Sequence, residues 1–221
     1  MFTFCPPKNL NDLKSETFPD GKRYYTLEDG TKLPSVTTVL GAMKKQSIME
    51  WRKRVGEEEA NRVSRIASSR GTGVHTLCEK FLNNEKSGEA MPDAMEMFLG
   101  IKPLIQSGIN NIHYQEQALW SKTLGMAGRV DCIAEYNGVL SVIDFKTSKR
   151  VKQRDDILDY FWQATAYSIM YQEMIGIPIN QLVIMMAVEN HAPLIFIEKT
   201  EDHVDGLVEA IQYYKKNLTT K

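Results

Sequence analysis

Asp131, Asp144 and Lys146 stand in the stretch GRVDCIAEYNGVLSVIDFKT, Gly128 to Thr147, where two apolar-rich segments flank Asn137-Gly138. An Asn-Gly pair between alternating segments is a strong signal for a two-residue type I′ hairpin. That turn sets Tyr136 against Val139 and Cys132 against Ile143, and it brings Asp131 opposite Asp144. Directly opposed side chains have Cβ atoms about 4.5–5.5 Å apart, and like charges there repel. Lys146 falls on the face of Asp144 because strand side chains alternate, with Arg129 as its partner across the ladder. Ile133, Leu140 and Val142 share that face, whereas Val130, Ile143 and Phe145 make an apolar one. A divalent cation suits such a pair, since hard cations take carboxylate oxygens and offset their repulsion. Two other readings stay open: a solvated pair at the sheet rim neutralised by Lys146 and Arg129, or a shifted register in which the aspartates never meet.

Further residues bear on the same place. Glu116 lies on the preceding strand and faces the same side if the turn near Leu124-Gly125 has an even loop. His75 follows a glycine break at a helix start, where a single histidine serves either as a ligand or as a structural side chain. Gln163 and Tyr167 are four apart and share one helix face.

The elements that must position these residues are legible in outline. Residues 23–37 alternate around Asp29-Gly30 as a hairpin. From Ser35 to about Leu82 the pattern is mostly helical, with Ser47-Ile48-Met49-Glu50 as a capping box opening a long charged helix. The stretch SSRGTGVHTLCEKFL is expected to hold a glycine break, then a short helix with Val74, Leu77, Cys78 and Phe81 on one face. A second helix follows Pro92, and strands follow at about 113–121, 127–136 and 139–147. Residues 156–175 form a helix closed by Gly176. QLVIMMAVE and APLIFIEK are two further strands, and Thr200 is expected to cap a last helix ending in Lys215 and Lys216. This order gives an α/β or α+β sandwich around a mixed sheet.

The chain has 221 residues, 43% hydrophobic and 25% charged, which suits one globular domain. A net charge of −1 gives no chain-wide basic field, so a nucleic-acid or membrane partner would need local patches. Cys5, Cys78 and Cys132 are scattered and odd in number, against a disulfide framework or a metal cage built from cysteines. The N-terminal residues lack a signal-peptide core and no transmembrane run appears, so the expected location is cytoplasmic.

The series Gly71-Thr72-Gly73-Val74-His75, then Glu116, Gly128-Arg129-Val130-Asp131, Ile143-Asp144-Phe145-Lys146-Thr147 and Gln163-Ala164-Thr165-Ala166-Tyr167 resembles the RecB-like branch of the PD-(D/E)xK nuclease superfamily. Within it, the likeness is to the mitochondrial genome maintenance exonucleases and their phage relatives. It runs through most of the chain from about residue 24 and concentrates between 116 and 167. The resemblance implies an α/β nuclease core, a mixed central sheet flanked by helices, with an N-terminal hairpin and a helical arch over the site. The whole, 1–221, would be one nuclease domain, with the hairpin and helical region in 1–112 and the catalytic sheet core in 113–221.

By that resemblance the protein is a metal-dependent exonuclease acting on DNA, single-stranded or with free ends. Asp131, Asp144, His75 and the backbone carbonyl of Phe145 would hold Mg²⁺ or Mn²⁺; a histidine among oxygen ligands suits Mn²⁺. Lys146 would orient or deprotonate the attacking water, its ammonium pushed toward the neutral form beside a cation. Glu116 would complete the shell through water, and Gln163 and Tyr167 would position the nucleic-acid backbone or the strand bearing Lys146. Arg129 and Thr147 are phosphate contacts of lesser weight. The products would be a 5′-phosphate and a 3′-hydroxyl. Basic residues cluster between Lys44 and Arg70, including Arg52, and again in the loop with Lys149, Arg150 and Lys152. Trp51, Tyr160 and Trp162 could stack unpaired bases, although core packing suits Trp162 better. Three scattered cysteines cannot supply the four-cysteine iron–sulfur cluster that some relatives carry, and the lack of a presequence points to a phage or bacterial source. Two rival readings are a duplex-end resecting exonuclease or structure-specific endonuclease on the same site, and a DNA-binding module without catalysis.

Overall fold

The computed structural model describes residues 1–218. It opens with a three-stranded antiparallel sheet, β1 (Lys14–Thr17), β2 (Arg23–Thr26) and β3 (Lys32–Pro34). The β2–β3 hairpin is the expected one, pairing Tyr25 with Leu33. Strand β1, KSET, is exposed at every position and so carries no apolar alternation to announce it. Tyr25, Leu27 and Leu33 bury themselves against Ala118 and Ala127 of the main sheet.

Two long helices follow, α1 (Val36–Val55) and α2 (Glu57–Leu82). Ser35 caps α1, its side chain accepting from the Thr38 N–H at 3.0 Å, and Val36, Val39 and Leu40 bury one face at helical spacing. The expected capping box at Ser47 is not a helix start. Ser47 lies within α1, where its hydroxyl donates to the Lys44 carbonyl at 2.9 Å, so its side chain is satisfied by the preceding turn. The break falls instead at Gly56, whose φ of +86° few other residues adopt.

The glycine break expected before His75 is also absent. Helix α2 runs straight through Gly71 and Gly73. A Cβ at Gly73 would lie 2.8 Å from the Ala94 Cβ of α3 (Pro92–Gly108). This glycine therefore serves close helix approach rather than a turn, outweighing its helix propensity of about 1 kcal/mol.

The main sheet has the order β4 (Ile109–Ser121), β5 (Met126–Tyr136), β6 (Val139–Ser148), β7 (Gln181–Val188), β8 (Leu194–Lys199). It is mixed as expected: β6 and β7 are parallel and the other neighbours antiparallel. Parallel neighbours need a crossover, and α4 (Leu158–Ile175) supplies it, closed by Gly176 at φ +86°. Helices α1, α4 and α5 (Val204–Leu218) pack on one face of the sheet, and α2 and α3 on the other. Thr200 does not cap α5. It begins a short 3₁₀ turn, and its hydroxyl donates to the Ile179 carbonyl at 2.9 Å. No helix among the described residues is long and apolar enough to cross a membrane.

One face assignment differs from the alternation read in the sequence. Ile143 and Phe145 pack with α2 and α3 as expected, but Val130 packs on the other face with Ile133 and Val142. Alternation breaks between Val130 and Cys132, at the level where Glu116 of the neighbouring strand takes φ +47°.

Candidate active site

Asn137 and Gly138 have φ of +51° and +80°, the signature of a type I′ turn. The register they set runs Tyr136–Val139 to Cys132–Ile143. Its next level is Asp131 with Asp144, and there a side chain replaces the ladder: Asp131 Oδ2 accepts from the Phe145 backbone N–H at 2.8 Å. On the other side β4 pairs Gln115 with Cys132 and Gln117 with Val130, which sets Glu116 level with Asp131. The loop between Ser121 and Met126 is of even length, the condition for Glu116 to face this side. Three carboxylates from three adjacent strands thus occupy one row.

Helix α2 delivers His75 to that row. Its Nδ1 lies 3.5 Å from Asp131 Oδ1, and its ring meets the Phe145 ring edge-on at 6.5 Å. One ligand atom each from His75, Glu116 and Asp131 lies within 4.8 Å of the others. Glu116 thus lies in one group with His75 and Asp131. Asp144 sits beside the group, 1% exposed, in an ion pair with Lys146. Phe145 offers the site its N–H; the carbonyl role expected of it stays a proposal.

Like charges at the ~5 Å spacing of opposed residues repel by roughly 3 kcal/mol at an effective dielectric near 20. A typical hydrogen bond returns only about 1 kcal/mol, so this row needs cations. Burial pushes the His75 imidazole down, but the Asp131 charge and hydrogen bond prevail and raise it to about 9. Burial and the Asp131 charge push Glu116 up to about 7. For Asp131, burial is outweighed by His75, Lys146 and the Phe145 N–H, and its carboxyl is held low. For Asp144, burial prevails over Lys146 and its carboxyl is held high. Partial burial pushes the Lys146 ammonium down, but Asp144 and Asp131 prevail and raise it in the cation-free protein.

Asp144 Oδ1 is buried without a hydrogen-bond donor, and Oδ2 has only the Lys146 ammonium beside it. Buried carboxylate oxygens are ordinarily satisfied. This under-partnered carboxylate, beside an imidazole and two further carboxylates, offers donors of the kind a hard divalent cation takes. The residues present fit the group.

The row opens into a cleft of about 650 Å³ between the sheet and helices α1, α2 and α4. Gln163 and Tyr167 line it together. Burial and the charges of Asp131 and Asp144 hold that phenol well above its ordinary value. Gly128 is glycine because a Cβ there would lie 2.8 Å from the Tyr167 hydroxyl. Tyr160 stands between two ammonium groups, with Lys146 Nζ 5.0 Å and Lys44 Nζ 5.6 Å from its ring centre. Lys44 is tied to Asp159 at 2.6 Å.

The residues expected to contact DNA divide. Thr147 is half-buried beside Gly71. Lys149 and Arg150 are exposed and Lys152 half-buried on the loop after β6. Trp162 packs against Gly206 at the edge of the core, as its bulk suggested. Arg52 is engaged within the protein, by Glu57 and by Asn61 Oδ1 at 2.6 Å, with Trp51 half-buried beside it. Neither Arg52 nor Trp51 lines the cleft. Arg129 does line it but is held by Asp12 at 2.7 and 2.8 Å and by the Glu116 carbonyl. Sequence reasoning missed Arg23 and Tyr25 of β2 and Asp159 of α4, all in the cleft wall. They have no spacing to the other site residues that could have marked them.

The chain is 29% identical over 130 residues to human mitochondrial genome maintenance exonuclease 1, covering 54% of this chain and 38% of that protein. It is 28% identical over 179 residues to the Xenopus tropicalis protein of the same name, covering 76% of this chain and 51% of the relative. The chain thus spans about half or less of the curated relatives it matches. Among solved structures, a candidate exonuclease from Eubacterium rectale overlaps at a TM-score of 0.44 with 17% identity, over 70% of this chain and 65% of that one. Residues 106–212, which carry the row of carboxylates, Lys146, Gln163 and Tyr167, match the family model of the PD-(D/E)XK nuclease superfamily.

Proposed function

We propose that this protein is a Mg²⁺- or Mn²⁺-dependent DNA exonuclease that prefers single-stranded ends. The observation that carries the reading is the grouping of His75, Glu116 and Asp131 beside the buried Asp144 and its partner Lys146, within a segment that matches the nuclease superfamily. His75, Glu116, Asp131 and Asp144 would hold the cation, with the Phe145 carbonyl as a further ligand. When bound, it supplies Lewis-acid stabilisation of a phosphoryl oxygen and a lowered pKa for a coordinated water. Lys146 lies where it can orient the attacking water or meet the developing charge on the phosphate. Gln163 and Tyr167 position the backbone of the bound strand. Lys44 and the loop bearing Lys149, Arg150 and Lys152 attract phosphates without reading bases, which makes binding salt-sensitive and sequence-independent.

Support for a single strand comes from the cleft: α1 and α2 wall it on one side, and the Tyr160 ring lies within it, where it can stack on a base. The test is a time course on end-labelled single-stranded, duplex, linear and circular DNA with Mg²⁺ or Mn²⁺ and an EDTA control. Mononucleotides or short products from linear single strands, and none from circles, are expected. Equal cutting of circles would make the enzyme an endonuclease, and DNA retention without any products would leave only a binding module.

A further inference from the structure

Five non-glycine residues among those described have positive φ, and four of them are asparagines: Asn84, Asn111, Asn137 and Asn190. Asparagine tolerates the left-handed region because its short amide bonds the local backbone. The fifth is Glu116, at φ +47°. A glutamate has no such compensation, so a left-handed glutamate inside a strand has to be held by its surroundings.

The holding group is Arg129. Its Nη1 donates to the Glu116 carbonyl oxygen, and its Nη2 donates to Asp12 Oδ1 and Oδ2 at 2.7 and 2.8 Å. Asp12 belongs to the N-terminal segment, far from the site in sequence, and that segment is itself pinned. Leu13 is buried beneath the three-stranded sheet. The Lys8 carbonyl accepts from the Tyr114 hydroxyl at 2.6 Å, and Lys8 Nζ donates to the Met174 carbonyl at 2.5 Å. Asp12 does not line the cleft. The guanidinium plane can serve Asp12 and the carbonyl together, which an ammonium on a flexible stem cannot do in fixed geometry.

We propose that Asp12 and Arg129 are positioning residues that lock the Glu116 peptide in its left-handed turn and so keep the Glu116 carboxylate in the cation-binding group. The inference rests on the metal-site reading above and gives Arg129 a role other than phosphate contact. It also makes the N-terminal segment part of the site's support.

The test is Mn²⁺ affinity of the intact, DNA-free protein by titration calorimetry, with thermal unfolding in parallel. Removing a residue that orients a ligand typically weakens metal binding about 10- to 100-fold. Asp12→Asn and Arg129→Lys are expected at the lower end of that range with little change in unfolding temperature, and Asp12→Glu is expected to restore affinity. In a Glu116→Gln background, Arg129→Lys should cost nothing further, because the brace acts only through Glu116. Wild-type affinity in both single variants overturns the brace while leaving the metal site standing. So does a full additional loss in the Glu116→Gln background. Absence of Mn²⁺ binding by the wild-type protein removes the metal-site reading itself, and the brace with it.

Discussion

The Phe145 backbone N–H donates to Asp131 Oδ2 at 2.8 Å, so the carboxylate of one strand occupies the place of a ladder bond to the next. This contact fixes the Asp131 rotamer and leaves Oδ1 turned toward His75. Asp131→Asn keeps an oxygen for the N–H but loses the charge. The expected outcome is a native circular dichroism spectrum with a loss of more than about 100-fold in Mn²⁺ affinity, since a direct ligand should matter at least as much as the group that orients it. Unchanged affinity in that variant would remove Asp131 from the ligand set.

Asp144 is buried and pairs with the half-buried Lys146, and an ion pair drawn out of water is a weak source of stability. Lys146→Ala is expected to abolish cleavage while retaining DNA affinity, and to destabilise the fold by about 3–5 kcal/mol because Asp144 is left uncompensated. The double variant Asp144→Leu/Lys146→Met should recover that loss, and by the behaviour of other buried pairs could exceed wild type by about 1–4 kcal/mol. Urea unfolding of the three proteins decides the matter: a double variant no more stable than the single one contradicts it.

Cation binding should release protons. In the cation-free protein His75 titrates near 9 and Glu116 near 7, so at neutral pH the imidazole is protonated and Glu116 about half so. A cation competes with those protons, and its affinity should rise with pH through about 7 and on toward about 9. Calorimetry in buffers of different ionisation enthalpy reads the protons released; a binding enthalpy independent of buffer would refute the assignment.

Two glycines on neighbouring helices should respond in opposite directions to the same change. At Gly100, on the exposed side of α3, a Cβ meets nothing within 4 Å. Gly100→Ala should therefore add about 0.8–1 kcal/mol through helix propensity. At Gly73 the new Cβ would stand 2.8 Å from the Ala94 Cβ, and neither methyl can rotate away. Overpacking costs about 1–3 kcal/mol, so Gly73→Ala should be neutral to destabilising on balance, and it should weaken cation binding because the displaced helix carries His75. Stabilisation by both substitutions, read from denaturant midpoints, would show that α2 and α3 are not in the contact described.

The sheet core was legible because its signals are local. Asn137-Gly138 set the hairpin register, the even loop before Met126 set Glu116 level with Asp131, and Gly176 ended α4 where a left-handed residue was needed. The helices were read less well where a residue has two uses. Serine inside a helix looks like serine at its start, and Gly73 looks like a break until Ala94 is seen against it.

What the sequence determined alone is therefore the hairpin and the expectation that Asp131 meets Asp144 with Lys146 nearby, because strand period and turn length leave a side chain only two faces to choose from. What only the tertiary structure decided is the company these residues keep. His75 reaches Asp131 because α2 passes unbroken over the sheet against α3, and Glu116 comes into the group at a left-handed backbone held from the N-terminal segment by Asp12 and Arg129. Those relations join residues far apart along the chain, and packing fixes them through contacts that no local periodicity encodes.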